Sequence, residues 1–217
     1  MKTRIILAVL VAGSSVNGSA QTTDPDSPLE IISNGEIIDA LNQAPLRQGP
    51  PPTAPSEIPH QQHSQNAPVS MQQKLMASMR VLPGVQVAAT QFSLGGSQGW
   101  RLQQDFAKGP PDAFIPGSVE FGHLHRPIDG SMHMLLPLTF SVIALEKGWG
   151  TIHPLTEDIS GENSEYVMIF CPRDDDELKT IWIIAQIAYS HGRGLSFDPE
   201  ETAITLSTLG VVKNRLR

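Results

Sequence analysis

One cysteine, few aromatic residues and no long apolar run set the first limits on this chain. Cys171 stands alone, so no disulfide can form within the chain. Its neighbours Ile169 and Phe170 predict a buried thiol that packs as a small hydrophobe. A reactive thiolate needs a cation to lower its pKa. The nearest in sequence, Arg173, lies beyond Pro172 and beside three aspartates. Charged residues fill only 17% of the 217 positions, the net charge is −7, and no basic stripe is present. Neither phosphate backbones nor anionic membrane surfaces attract such a chain, which argues against nucleic acid as a partner. The apolar run near the N-terminus, Ile5 to Ala12, is well short of the roughly 20 residues that span a bilayer.

That short run has another meaning. Lys2 and Arg4 precede it, and Gly18-Ser19-Ala20 follows with the small-x-small pattern of a signal-peptidase site. Residues 1–20 read as a signal peptide. The mature protein is expected to be exported, periplasmic or secreted, with no membrane span after cleavage. Residues 21–68 are rich in Pro, Gln, Ser and Asn, densest at Gly49-Pro50-Pro51-Pro52. Such a stretch buries too little apolar surface to offset its ordering entropy, so a mostly disordered linker is expected. Within it, Leu29 to Leu41 has helical spacing and reads as a short docking helix, while His60 and His63 are expected to be solvated.

Residues 69–193 read as the folded domain, with 194–217 as a tail. Ser70 and Gln73 suggest a capping box opening a helix that stops at Pro83-Gly84. Val85 to Phe92 and Trp100 to Gln103 read as strands. Ser118 to His125 and Ser131 to Leu136 form a predicted hairpin around Arg126-Pro127-Ile128-Asp129-Gly130. Pro137 opens a helix that Gly148 ends, and a loop is expected from Trp149 to about Ser164. Tyr166 to Cys171 reads as a central strand. Asp174 caps a last helix whose buried face is Leu178, Ile181, Trp182, Ala185 and Tyr189, ending at Gly192. The tail holds one candidate strand, Ala203 to Leu206. The order predicts an α+β fold: a small antiparallel or mixed sheet with helices packed on one face.

Four of the seven histidines fall between His123 and His153. On a strand, His123 and His125 share a face. A five-residue turn at 126–130 sets His125 opposite Ser131 and His123 opposite His133, whereas a four-residue turn sends His133 to the other face. Three readings follow. His123, His125 and His133, with His153 as a fourth, supply the donors of a zinc, iron or copper site. One or two imidazoles, which titrate near neutrality, would serve as acid and base. Alternatively, the histidines are structural and bonded to backbone. Trp149, between Gly148 and Gly150, would stack on a planar ligand or plug the core. Lys147 would attract an anion or cap its helix. Arg173 would bind a carboxylate or enolate, or pair with Asp174 to Asp176.

His123-Leu-His125, Asp129-Gly-Ser131-Met-His133, Glu146-Lys147-Gly148-Trp149-Gly150, His153-Pro154-Leu155 and Pro172-Arg173 together resemble the fungal luciferase family over about Ser118 to Ser190. The resemblance implies oxygenation of a hydroxylated pyranone by molecular oxygen, with no organic cofactor and no metal. It implies that His123, His125, His133 and His153 are catalytic. Trp149, Lys147, Arg173 and Asp129 are then expected to bind substrate. The expected function is a cofactor-independent oxygenase or acid–base enzyme acting on a planar, enolisable small molecule. An exported chain has no evident supply of the fungal luciferin, so light emission is not expected. The alternatives are a non-catalytic binding or interaction module and a histidine-ligated metal protein.

Overall fold

The computed structural model describes residues 27–195 and 197. The signal peptide expected over 1–20 and the strand expected at Ala203 to Leu206 lie outside the described residues. The chain order is α1 (Asn34–Gln43), α2 (Val69–Val81), β1 (Val85–Ala89), β2 (Gln98–Leu102), a 3-10 turn (Pro111–Ala113), β3 (Glu120–Leu124), β4 (Met132–Pro137), α3 (Leu138–Glu146), β5 (Gly150–Ile152), α4 (Thr156–Ile159), β6 (Ser164–Ile169) and α5 (Asp175–Gly192). The fold is α+β. Its six strands are ordered β1-β2-β3-β4-β6-β5, each antiparallel to its neighbours.

Side chains alternate across this sheet, and the two faces differ in kind. One face buries Trp100, Leu102, Met132, Met134, Leu136, Val167 and Ile169 against α1, α2, α3 and α5. The predicted inner face of α5 is buried there in full, and each such Leu or Ile contributes about 1.5–3 kcal/mol. Asp174 caps α5 as expected, accepting from the backbone N–H groups of Asp176 and Glu177, and three acidic residues occupy the positive first turn. The other face carries His123, His133, Leu135, Tyr166 and Met168, placed by their pairing positions. Among the described helices, α4, which has no buried residue, lies on that side, where Ile159 packs against Ile115, Leu135 and Tyr166.

Several sequence expectations need correction. The strand at Tyr166 is next to last in the sheet, because the stretch read as a loop after Trp149 contains β5, which pairs outside it. The capping box at Ser70 does not form. Helix α2 starts two residues earlier, with Pro68 as its N-cap and no side-chain cap bond. Helix α5 runs through Gly192, and Gly194, at φ +68°, takes the left-handed position after its end.

The largest correction concerns residues 27–68, which are packed as a strap rather than a disordered linker. Ile37, Ile38 and Leu41 of α1 enter the main core. Beyond α1 the strap is held by polar side chains bonded to backbone. Trp149 Nε1–H donates to Pro45 O (2.9 Å) and Lys147 Nζ to Asn42 O (2.9 Å) and Ala44 O (2.6 Å). Gln62 accepts from Cys171 N–H (3.1 Å), and Asn66 Nδ2 donates to Asp129 O (2.9 Å). Glutamine and asparagine of the strap thus pair with backbone groups of the sheet side, while Lys147 and Trp149 pair with carbonyls of the strap. His63 is exposed as expected; His60 is buried.

Candidate functional site

The site is built on β3, β4 and the turn between them. Gly130, at φ +75°, closes that turn, with Asp129 and Gly130 N–H both donating to Arg126 O. The five-residue register results: His125 N–H donates to Ser131 O (2.9 Å), and His123 pairs with His133. All three imidazoles therefore share the face opposite the helices. β5 adds His153 at the sheet edge, where its N–H donates to Tyr166 O. The strap adds His60, which stacks on His133 (centroids 5.3 Å, 16°) and meets His153 edge-on (5.0 Å). Five buried imidazoles lie together.

Two buried carboxylates orient this cluster. Asp129 accepts from Ser131 N–H (3.0 Å), Ser131 Oγ–H (2.6 Å) and Gln62 N–H (3.3 Å). Its Oδ2 lies 2.6 Å from His125 Nδ1. A carboxylate only accepts, so His125 Nδ1 is the donor, and in the neutral ring Nε2 is then the lone pair. His133 Nδ1, 3.3 Å away, then donates to it, and His133 Nε2 is left as a lone pair in turn. That nitrogen is buried and has no hydrogen-bond partner. Burial would push the Asp129 carboxyl up, but the bonds from His125 and Ser131 outweigh it and hold it low.

Glu120 plays the same part for His123, with Oε1 3.1 Å from Nδ1. Residues three apart on a regular strand face opposite ways. A bulge opposite Trp100 and Arg101 reverses this, pairing Arg101 with Glu120 and Trp100 with Gly122. Gly99 leaves the room, since a Cβ there would run into the Glu120 carboxylate. Thr90 Oγ1 donates to Glu120 (2.7 Å), and Arg101 Nε lies 3.2 Å from it. His123 Nε2 is buried without a partner.

Burial favours the neutral form of His60, His123, His133 and His153. It lowers His60 to about 4 and His153 to about 3, with neighbouring imidazoles adding to the effect. Burial and the same mutual repulsion lower His123 and take His133 well below its usual value. Tyr166, whose ring lies 4.4 Å from His153 and 5.5 Å from His133, is raised by burial and stays protonated.

His60, His133, His153 and Tyr166 line a cavity of about 340 Å³, with Ile58, Phe92, Leu94, Ile115 and Leu155 as apolar walls. That size suits a small organic molecule. A second groove, of about 750 Å³ between the 3-10 turn and α4, is lined by Asp112 and Asp158 but by no imidazole. Two sets of three nitrogens lie within 4.8 Å of one another and have metal-ligand character: His123, His125 and His133, and His60, His133 and His153.

Of the residues singled out in the sequence, the structure brings together His123, His125, His133, His153 and Asp129. It takes three others away. Trp149 is buried in the main core with its N–H on Pro45 O, so it plugs the helix side instead of stacking on a ligand. Lys147 caps the C-terminal end of α1 through Asn42 O and Ala44 O. Arg173 pairs with Glu177 instead of the aspartates and bonds Gln48 O and Gln65 Oε1. None of these three lines the cavity. Cys171 is a buried thiol, pushed up to about 11 by burial. His60, Glu120 and Tyr166 were not legible as site residues. Glu120 had a faint signal in its nearness to His123, but His60 lies 63 positions before it in a stretch of linker composition.

Residues 118–188 match the family model of the luciferase domain. No curated protein matches the chain, and no solved structure does. The match runs from the approach to β3 through most of α5. It includes His123, His125, Asp129, His133, His153 and Tyr166 and leaves out His60 and the strap.

Proposed function

We propose, with the luciferase domain of residues 118–188 as the premise, that this is an exported enzyme that oxidises a planar, enolisable small molecule in the histidine-walled cavity. Molecular oxygen is its co-substrate, no organic cofactor takes part, and no light is emitted. One observation carries the reading: the chain Asp129–His125–His133 ends on the cavity wall in a buried ring nitrogen, His133 Nε2, that has no hydrogen-bond partner among the described residues. A substrate enol O–H brought to His133 Nε2 would meet a positioned acceptor. Transfer of that proton leaves an enolate and an imidazolium. His125 and the Asp129 charge behind it stabilise the imidazolium, as an oriented carboxylate does for any imidazole base. The electron-rich enolate is then the partner for oxygen. Ile58, Phe92, Leu94, Ile115 and Leu155 offer the planar ring apolar walls.

The test is oxygen consumption by the metal-free protein with hydroxypyranones and catechols as substrates. His133→Ala should lose roughly 10²–10⁴ of the rate, the usual contribution of a positioned base. A His133→Ala protein that melts like the parent and turns over a confirmed substrate at the parent rate would end this assignment. Saturable binding with no turnover of any compound would favour a binding module.

A further inference from the structure

The lone pair of His133 is one of several that converge. Both ring nitrogens of His60 are buried and lack partners, as does His133 Nε2, and His153 stands edge-on to both rings. Unsatisfied buried polar atoms are costly, and each neutral imidazole of the group has one lone pair to offer a metal ion. No lysine or arginine lines the cavity.

We propose that His60, His133 and His153 bind a divalent transition-metal ion of zinc-like preference, and that the bound ion silences the reaction by occupying the His133 lone pair. This rests on the preceding reading of the cavity as the reaction site. The donor set is right for zinc, cobalt or copper: three imidazoles with room for a fourth, exchangeable ligand from the cavity. The nitrogens lie within 4.8 Å of one another, so side-chain shifts of about an ångström bring them to bonding distance around one ion. The outer ring nitrogens of His133 are backed as ligand histidines usually are, since its Nδ1–H is held by His125 and, through it, by Asp129.

The inner set of His123, His125 and His133 is the poorer candidate. An ion there would have to break the 3.3 Å bond between His125 and His133, and none of its members but His133 lines the cavity. In the outer set the adjusting ligand is His153. Its Nδ1 accepts from Leu155 N–H (3.0 Å), so its neutral ring carries the proton on Nε2. It joins the ion through Nδ1 by giving up the Leu155 bond, or through Nε2 after its proton moves to Nδ1, and in either case it binds as the neutral imidazole. His60 comes from the strap and the other two ligands from the sheet. The ion would therefore also staple residues near Ile58 to His60 over the cavity mouth.

Cobalt(II) serves as the probe, because its visible absorption reports tetrahedral nitrogen ligation without any assay of turnover. Full-length mature protein, stripped with chelator, is titrated with cobalt(II). The expected result is one equivalent with tetrahedral bands, weakened more than about tenfold in His60→Ala and in His153→Ala but not in His123→Ala. Turnover by the same metal-free protein should fall as the cobalt bands grow. Absence of the bands, equal affinity in His60→Ala, or loss in His123→Ala with retention in His60→Ala would each overturn the site. Turnover that rises with cobalt would overturn the silencing. Bands as expected with no turnover from metal-free protein would leave the ion site standing and remove the preceding function together with the silencing. Turnover without bands would do the reverse.

Discussion

The two faces of the sheet are built by opposite rules. The helix face is apolar almost throughout, closed by α1, α2, α3 and α5, and its polar groups are mainly ones that hold helices to the strap. The strap face is also buried, yet it holds five imidazoles, two carboxylates and a tyrosine. A domain of this size has no need of the second arrangement for stability, since burying unsatisfied polar atoms costs free energy. The helix face is where the fold is secured. The strap face keeps unsatisfied lone pairs beside a cavity, and a local cost of that sort is characteristic of functional sites.

Substitutions can break this contrast in order of size. Trp182→Ala on the helix face should cost about 3–5 kcal/mol in denaturant unfolding, because a large buried side chain leaves a cavity that cannot collapse. A loss comparable to that of a surface site would show that the two faces are not so different.

Acid should act through the other face. Unfolded imidazoles titrate near 6.5, whereas burial holds His60 at about 4 and His153 at about 3 in the fold. As pH falls below about 6.5 the unfolded chain takes up more protons than the folded one. The stability of metal-free protein should therefore be full above about pH 7 and fall steadily toward pH 4. Replacing His60 and His153 by Phe should flatten that slope; an unchanged slope would place the acid sensitivity elsewhere.

Asp129→Asn removes the charge that orients His125 and leaves Ser131 and Gln62 donors poorly matched. A cost of about 1–3 kcal/mol is expected, with a larger loss of turnover than of stability. Equal losses in both would mark Asp129 as merely structural. The smallest effect is expected at Arg173→Ala. Its pair with Glu177 is partly exposed, so roughly 1 kcal/mol or less should be lost, with turnover unchanged. Cys171 should resist alkylation at neutral pH until the protein unfolds, since its thiol is buried and pushed up to about 11.

What could be read from the chain divides along the same line. The cap at Asp174, the inner face of α5, the end of α3 at Gly148 and the hairpin at 126–130 all rest on contacts a few residues apart. The turn length alone decided that His123, His125 and His133 share a face, and Asp129 reaches His125 across only four positions. Trp149 was ambiguous because a tryptophan between glycines looks alike whether it meets a ligand or Pro45 O. Glu120 faced the wrong way on a regular strand, and only the bulge turned it toward His123.

The sequence by itself determined the α+β class and narrowed the histidine hairpin to two registers, of which the structure takes the five-residue one, because periodicity, caps and turns act locally. Tertiary structure alone decided that the prolyl and glutamine-rich strap is ordered, that His60 joins the cluster, and that Lys147, Trp149 and Arg173 leave it. Those outcomes depend on hydrogen bonds spanning up to 156 positions, as from Ser190 to Asn34, and 125 from Arg173 to Gln48. Composition carries no record of such contacts, because each is made only once the sheet is there to receive the strap.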